Sequence, residues 1–102
     1  MNIIQEHKLE LEKACSKFNV NELYAFGSVL SDKFNQESDI DFIVSIRSND
    51  PIEYAENYFD LKFELENIFN RKIDLLEQKS MRNKTFENLV NKQKILVYER
   101  GD

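Results

Sequence analysis

Ser38-Asp39-Ile40-Asp41-Phe42-Ile43-Val44-Ser45-Ile46 carries the clearest pattern in the chain. Residues 40–46 are rich in β-branched and aromatic side chains and alternate in character. A strand is therefore expected, with Ile40, Phe42, Val44 and Ile46 on one face and Asp39, Asp41, Ile43 and Ser45 on the other. Ile40 enters a core, while Asp39 and Asp41, about 6.6 Å apart along an extended chain, project together. Burying Ile and Val at a strand start is favourable and burying Asp is not. This is a local conflict of the kind found at functional sites. Two carboxylates so placed repel each other unless a cation lies between them, and hard oxygen ligands select Mg²⁺ or Mn²⁺.

Working outward, Asp50-Pro51-Ile52-Glu53 reads as a helix start: Asp50 as N-cap, Pro51 as first helical residue, Glu53 as capping-box partner. That helix is expected to run to about Asn70, with Tyr58, Leu61, Leu65, Ile68 and Phe69 as its apolar stripe. Ile73-Asp74-Leu75-Leu76 reads as a third strand. A helix near 80–91 is expected to bury Met81, Phe86, Leu89 and Val90, and Ile95-Leu96-Val97-Tyr98 reads as an edge strand. Upstream, residues 3–18 read as one amphipathic helix with Ile4, Leu11, Cys15 and Phe18 at helical spacing. Residues 19–22 read as a mostly polar break before the apolar run Leu23-Tyr24-Ala25-Phe26, which ends at Gly27. Residues 31–38 are polar and turn-rich. Helices and strands alternating around one short sheet imply an α+β fold, an α/β sandwich, in one domain spanning residues 1–102.

Gly27-Ser28 complements the acidic pair. A glycine after a strand lets the backbone turn sharply and approach a ligand closely. A helix starting there would aim free N–H groups at a phosphate, with the Ser28 hydroxyl adding a hydrogen bond. A cation site beside a phosphate site points to a Mg²⁺–nucleoside triphosphate. A third carboxylate on a neighbouring strand would complete a two-metal site, and Asp74, inside an apolar run, is the candidate.

Composition bounds the function. The chain has 102 residues, 41% hydrophobic and 32% charged, with two Gly and one Pro, which fits a folded domain. The net charge of −5 argues against nonspecific nucleic-acid binding. Cys15 is the only cysteine and His7 the only histidine, which excludes an internal disulfide, argues against a Cys/His zinc site and suits a reducing compartment. No apolar run is long enough for a membrane span, and the acidic N-terminus lacks a signal-peptide core. A cytoplasmic protein is expected. Its 102 residues leave no room for a separate acceptor domain.

The set Gly27-Ser28, ten residues, Asp39-Ile40-Asp41, followed by Arg71-Lys72-Ile73-Asp74-Leu75, resembles the minimal nucleotidyltransferases of the polymerase-β-like superfamily. The resemblance extends over roughly residues 8–98. It implies the polymerase-β-like fold, a small mixed sheet flanked by helices. It further implies that Asp39 and Asp41 hold two Mg²⁺ ions (or Mn²⁺), and that Asp74 ligates the catalytic one and assists deprotonation of the attacking hydroxyl. Gly27 and Ser28 would then hold the β- and γ-phosphates of ATP, with in-line transfer of AMP and loss of pyrophosphate. Proteins that look like this commonly pair, as antitoxins, with a helical HEPN-domain toxin, so the implied acceptor is a tyrosine hydroxyl of that partner. Leu30-Ser31-Asp32 stands where members commonly carry Ala-Arg-Gly, which removes a usual cation near the nucleotide. That departure motivates a second reading, a module that neutralises a partner by binding alone. Transfer to a small molecule is a third, and a homo-oligomer stays open.

Other residues have plainer expectations. His7 is expected on an exposed helix face and Cys15 in the core. Tyr54, Tyr58, Phe59, Phe63 and Phe69 are expected in a core or interface. Asp74 could instead pair with Arg71 or Lys72. Lys79, Arg82, Lys84, Lys92 and Lys94 read as a solvated face, or as contacts to phosphate or an acidic partner.

Overall fold

The computed structural model describes residues 2–101. Helices α1 (Asn2–Glu6) and α2 (Lys8–Lys17) lead into β1 (Val20–Phe26). Strand β2 (Ile40–Ile46), helix α3 (Pro51–Phe69) and strand β3 (Ile73–Glu77) follow, then helix α4 (Lys84–Gln93) and strand β4 (Ile95–Glu99). The four strands form one mixed sheet in the order β3-β2-β1-β4. β2 runs antiparallel to β1 and parallel to β3, and β4 closes the far edge antiparallel to β1. The α+β reading holds, and so does the edge position of β4.

The alternation in β2 places Ile40, Phe42 and Val44 at full burial. They pack in one cluster with Leu11 and Cys15 of α2, Leu23 and Ala25 of β1, and Leu61, Leu65 and Phe69 of α3. Two helices thus cover one face of the sheet. Burial pushes the Cys15 thiol up to about 12, with the Glu12 charge adding to it, so it is an inert packing group. Among the described residues no helix is long and apolar enough to cross a membrane.

Four local expectations are corrected. The N-terminal helix is not continuous: it breaks at His7, which is half-buried, donates from Nδ1 to the Ile3 carbonyl and packs its ring 5.1 Å from that of Phe69. Strand β1 begins at Val20, not Leu23, because Asn19 takes a left-handed conformation (φ 59°) that starts the strand at once. A register irregularity between Val20 and Glu22 leaves Asn21 outside the ladder, where its carbonyl accepts from Arg100 N–H; polar residues therefore fit inside the strand. At α3, Asp50 caps Ile52 N–H as expected, but Ser48 Oγ, not Glu53, accepts the Asp50 N–H. Finally, α4 starts at Lys84 behind an Asn83 cap and buries only Val90, leaving Phe86 and Leu89 exposed.

Candidate active site

The opposite face of the sheet carries the candidate acidic residues. Because side chains alternate, sinking Phe42 and Ile40 into the helix-covered core sends Asp41 to the other side. In the parallel β2–β3 pair Asp41 lies directly opposite Asp74, and on its other flank Asp41 lies opposite Phe26. The Asp41 carboxyl is half-buried and raised from 3.8 to about 6. Burial is the largest cause, followed by the charges of Asp74 and Asp39 and by a hydrogen bond with Asp74. Asp74 itself is exposed.

Gly27 closes this corner. It turns with φ +77°, and a Cβ there would come 2.5 Å from Asp41 Oδ2. Only a residue without a side chain lets the backbone pass so near the carboxylate. The chain then makes a single 3₁₀ turn, Gly27–Leu30, anchored by buried Val29. Ser31 bonds the Ser28 carbonyl through both its N–H and its hydroxyl. The expected phosphate-facing helix is thus one short turn.

Asp39 stands one residue before β2, exposed, with Lys72 Nζ 4.0 Å from Oδ2. Neither alternative partner pairs with Asp74 among the described residues: Lys72 lies 4.0 Å from Asp39, and Arg71 bonds the Asn35 and Ser38 carbonyls. Among the described residues no three His, Cys, Asp or Glu side chains are gathered tightly enough to hold a metal. The donor set nonetheless fits a hard divalent cation. It is all oxygen, and Asp41 carries repulsion from both other carboxylates that a cation would relieve.

Two tyrosines hold β3 in place. Tyr58 donates its hydroxyl to the Leu75 carbonyl at 2.5 Å, next to Asp74, and Tyr54 donates to Glu77. Burial and the Glu77 charge push both phenols upward. Of the aromatic set, Tyr54, Tyr58 and Phe69 are packed as expected, whereas Phe59 and Phe63 are exposed. The basic cluster is partly engaged locally: Lys79 lies over the Tyr54 ring and Lys94 over the Tyr24 ring, while Lys84 pairs with Glu87. A hollow of about 360 Å³ between Asp50, Tyr54, Glu77 and Lys79 lies at the other end of β2 and β3 and includes none of the three aspartates.

Residues 10–102 match the family described as polymerase beta, nucleotidyltransferase. The chain belongs to that family. As a nucleotidyltransferase it is 32% identical over 95 residues to "Putative protein adenylyltransferase MJ1379" of Methanocaldococcus jannaschii, covering 93% of this chain and 91% of that one. Its fold is shared with a solved "putative minimal nucleotidyltransferase" at TM-score 0.73 and 18% identity, over 89% of each chain. The fold is also shared, at TM-score 0.62 and 20% identity, with a chain of the tri-AMPylated Shewanella oneidensis HEPN toxin in complex with its MNT antitoxin; 95% of this chain and 73% of that one are covered.

One residue beside the candidate site has a role that sequence reasoning missed. Arg71 donates from Nη1 to the carbonyls of Asn35 and Ser38 at 3.0 and 2.9 Å, and its guanidinium lies 4.7 Å from the Phe34 ring. It ties the turn-rich 31–38 segment to the start of β3, next to Asp39. No local signal pointed to it: the contact follows from the parallel pairing, which brings residues 71–73 beside 38–40, with Ile40 N–H bonding the Lys72 carbonyl.

Proposed function

We propose that this nucleotidyltransferase, acting as a single domain over residues 1–102, moves AMP from ATP onto a hydroxyl of a HEPN-domain partner protein, a tyrosine, in the reducing cytoplasm. The observation that carries the reading is the Asp41–Asp74 pair, two carboxylates in register on adjacent parallel strands with Gly27 cut away beside them. The similarity to a named protein adenylyltransferase supports adenylyl transfer, and the fold shared with an antitoxin chain supports the partner.

Asp39, Asp41 and Asp74 would hold two Mg²⁺ ions, which supply charge neutralisation at the triphosphate and at the attacking and leaving oxygens. The chain's own groups do the rest. Gly27 and Ser28 receive the β- and γ-phosphates against the 3₁₀ turn, and Asp74, the exposed member of the pair, takes the proton from the acceptor hydroxyl. The acceptor oxygen forms a bond to the α-phosphorus as the bond to the β-phosphate oxygen breaks, and pyrophosphate leaves. Lys72, 4.0 Å from Asp39, would supply a cation on this side of the site, where residues 30–32 lack the usual arginine. The test is incubation with α-³²P-ATP, Mg²⁺ and a HEPN-domain protein from the same source. Label should appear on the partner and fall by at least about a hundredfold in Asp41→Asn and Asp74→Asn; undiminished labelling would overturn the assignment.

A second reading, neutralisation by binding alone, is favoured by one observation: the three carboxylates are not drawn together. A tight complex whose partner keeps its unmodified mass after incubation with ATP would establish it.

A further inference from the structure

Helix α3 is apolar on two sides. Leu61, Leu65 and Phe69 face the core, yet Ile52, Phe59 and Phe63 are 71%, 65% and 66% exposed. At 100° per residue these three fall within a stripe about 40° wide and about 16 Å long, on the side of the helix away from the core. Scattered exposed apolar residues need no explanation, but an aligned stripe with two aromatic rings marks a contact surface. The flank of the stripe is acidic: Glu53, Glu56 and Asp60 are all exposed, and none has an ion-pair partner among the described residues.

We infer that the outer face of α3 docks a helix of a partner protein that presents apolar side chains at helical spacing flanked by Lys or Arg. A straight ridge of this length suits helix-on-helix packing. The unpaired carboxylates fix the charge of the occupant. They also disfavour a second copy of this chain, since an antiparallel two-fold pairing sets each acidic flank against its own copy in a protein of net charge −5,. The stripe lies across the sheet from Asp41 and Asp74, so a partner held there leaves the carboxylate face open. Where the partner is named as the HEPN protein the inference rests on the proposed function; the docking chemistry does not.

The experiment titrates the ¹⁵N-labelled full chain with two synthetic amphipathic peptides that share one Leu face, flanked by Lys in one and Glu in the other. Shifts confined to α3, affinity at least about tenfold higher for the Lys peptide, and loss of both in Phe59→Asp plus Phe63→Asp with spectral dispersion retained are expected. Equal binding of the two peptides, or shifts centred elsewhere, overturns the inference. So does a concentration-dependent dimer in sedimentation that the double variant abolishes, which assigns the face to a second copy. With the HEPN protein itself, the double variant should lose the complex. A complex that persists in it overturns the inference while leaving AMP transfer standing. A wild-type complex that forms through α3 without AMP transfer overturns the catalytic reading alone.

Discussion

Asp41 and Asp74 face each other across the parallel β2–β3 pair, and the Asp41 carboxyl holds its proton up to about pH 6. Its pKa is raised on folding, so between about pH 4 and pH 6 the native state binds more protons than the unfolded chain and stability falls as pH rises. Asp41→Asn removes this penalty. In EDTA the variant should match wild type near pH 4 and exceed it by about 1 kcal/mol at pH 7, a figure discounted because the group is half open to water. Thermal melts of both proteins across that range check it. Added Mg²⁺ should raise wild type and leave the variant unmoved.

Gly27→Ala meets two obstacles, the positive φ and a Cβ 2.5 Å from Asp41 Oδ2. A loss of about 1–3 kcal/mol by denaturant titration is expected. Because the displaced atom is a carboxylate oxygen of the proposed metal site, AMP transfer should fall further than stability does. Full activity in a merely destabilised variant would show that the close approach serves packing alone.

Arg71→Ala should loosen the 31–38 segment without unfolding the core. Both carbonyl contacts and the Phe34 stacking are lost, at a cost of about 1–2 kcal/mol. Hydrogen exchange should quicken at residues 34–39 and stay unchanged in α2 and α3. Arg71→Lys should not restore it, since an ammonium cannot reproduce the planar fork.

Tyr58→Phe removes the hydroxyl bonded to the Leu75 carbonyl. About 1 kcal/mol of stability should be lost, seen as a shifted denaturation midpoint at constant m-value. Amide exchange should rise in β3 around Asp74, which couples this tether to the site.

The elements were largely legible because their signals are local. Alternation in residues 40–46 and the Asp50-Pro51 start of α3 depend on stereochemistry a few residues long. The candidate site residues Gly27, Ser28, Asp39, Asp41 and Asp74 stand out by motif spacing, and the structure adds how they stand: Asp41 against Asp74 and Gly27, Asp39 against Lys72. Two of the misreadings are local, at Asn19 and at Ser48, and the others come from distant packing. His7 breaks the first helix because Phe69, sixty-two residues on, offers it a ring to pack against. Phe86 and Leu89 read as buried because an apolar residue at helical spacing looks the same whether or not a sheet covers it, and for Phe59 and Phe63 the same ambiguity left core and interface both open.

By itself, then, the sequence determined the order of elements, the two-faced character of β2 and the residue types able to bind a cation and a phosphate. Only the tertiary structure decided which strand lies beside β2 and in what register, which carboxylates meet, that Arg71 grips the 35–38 carbonyls, and which side of α3 stays open to water. The physical reason is range: propensity, capping and alternation act within a turn or two of chain, whereas pairing register and burial follow from packing distant segments into one core.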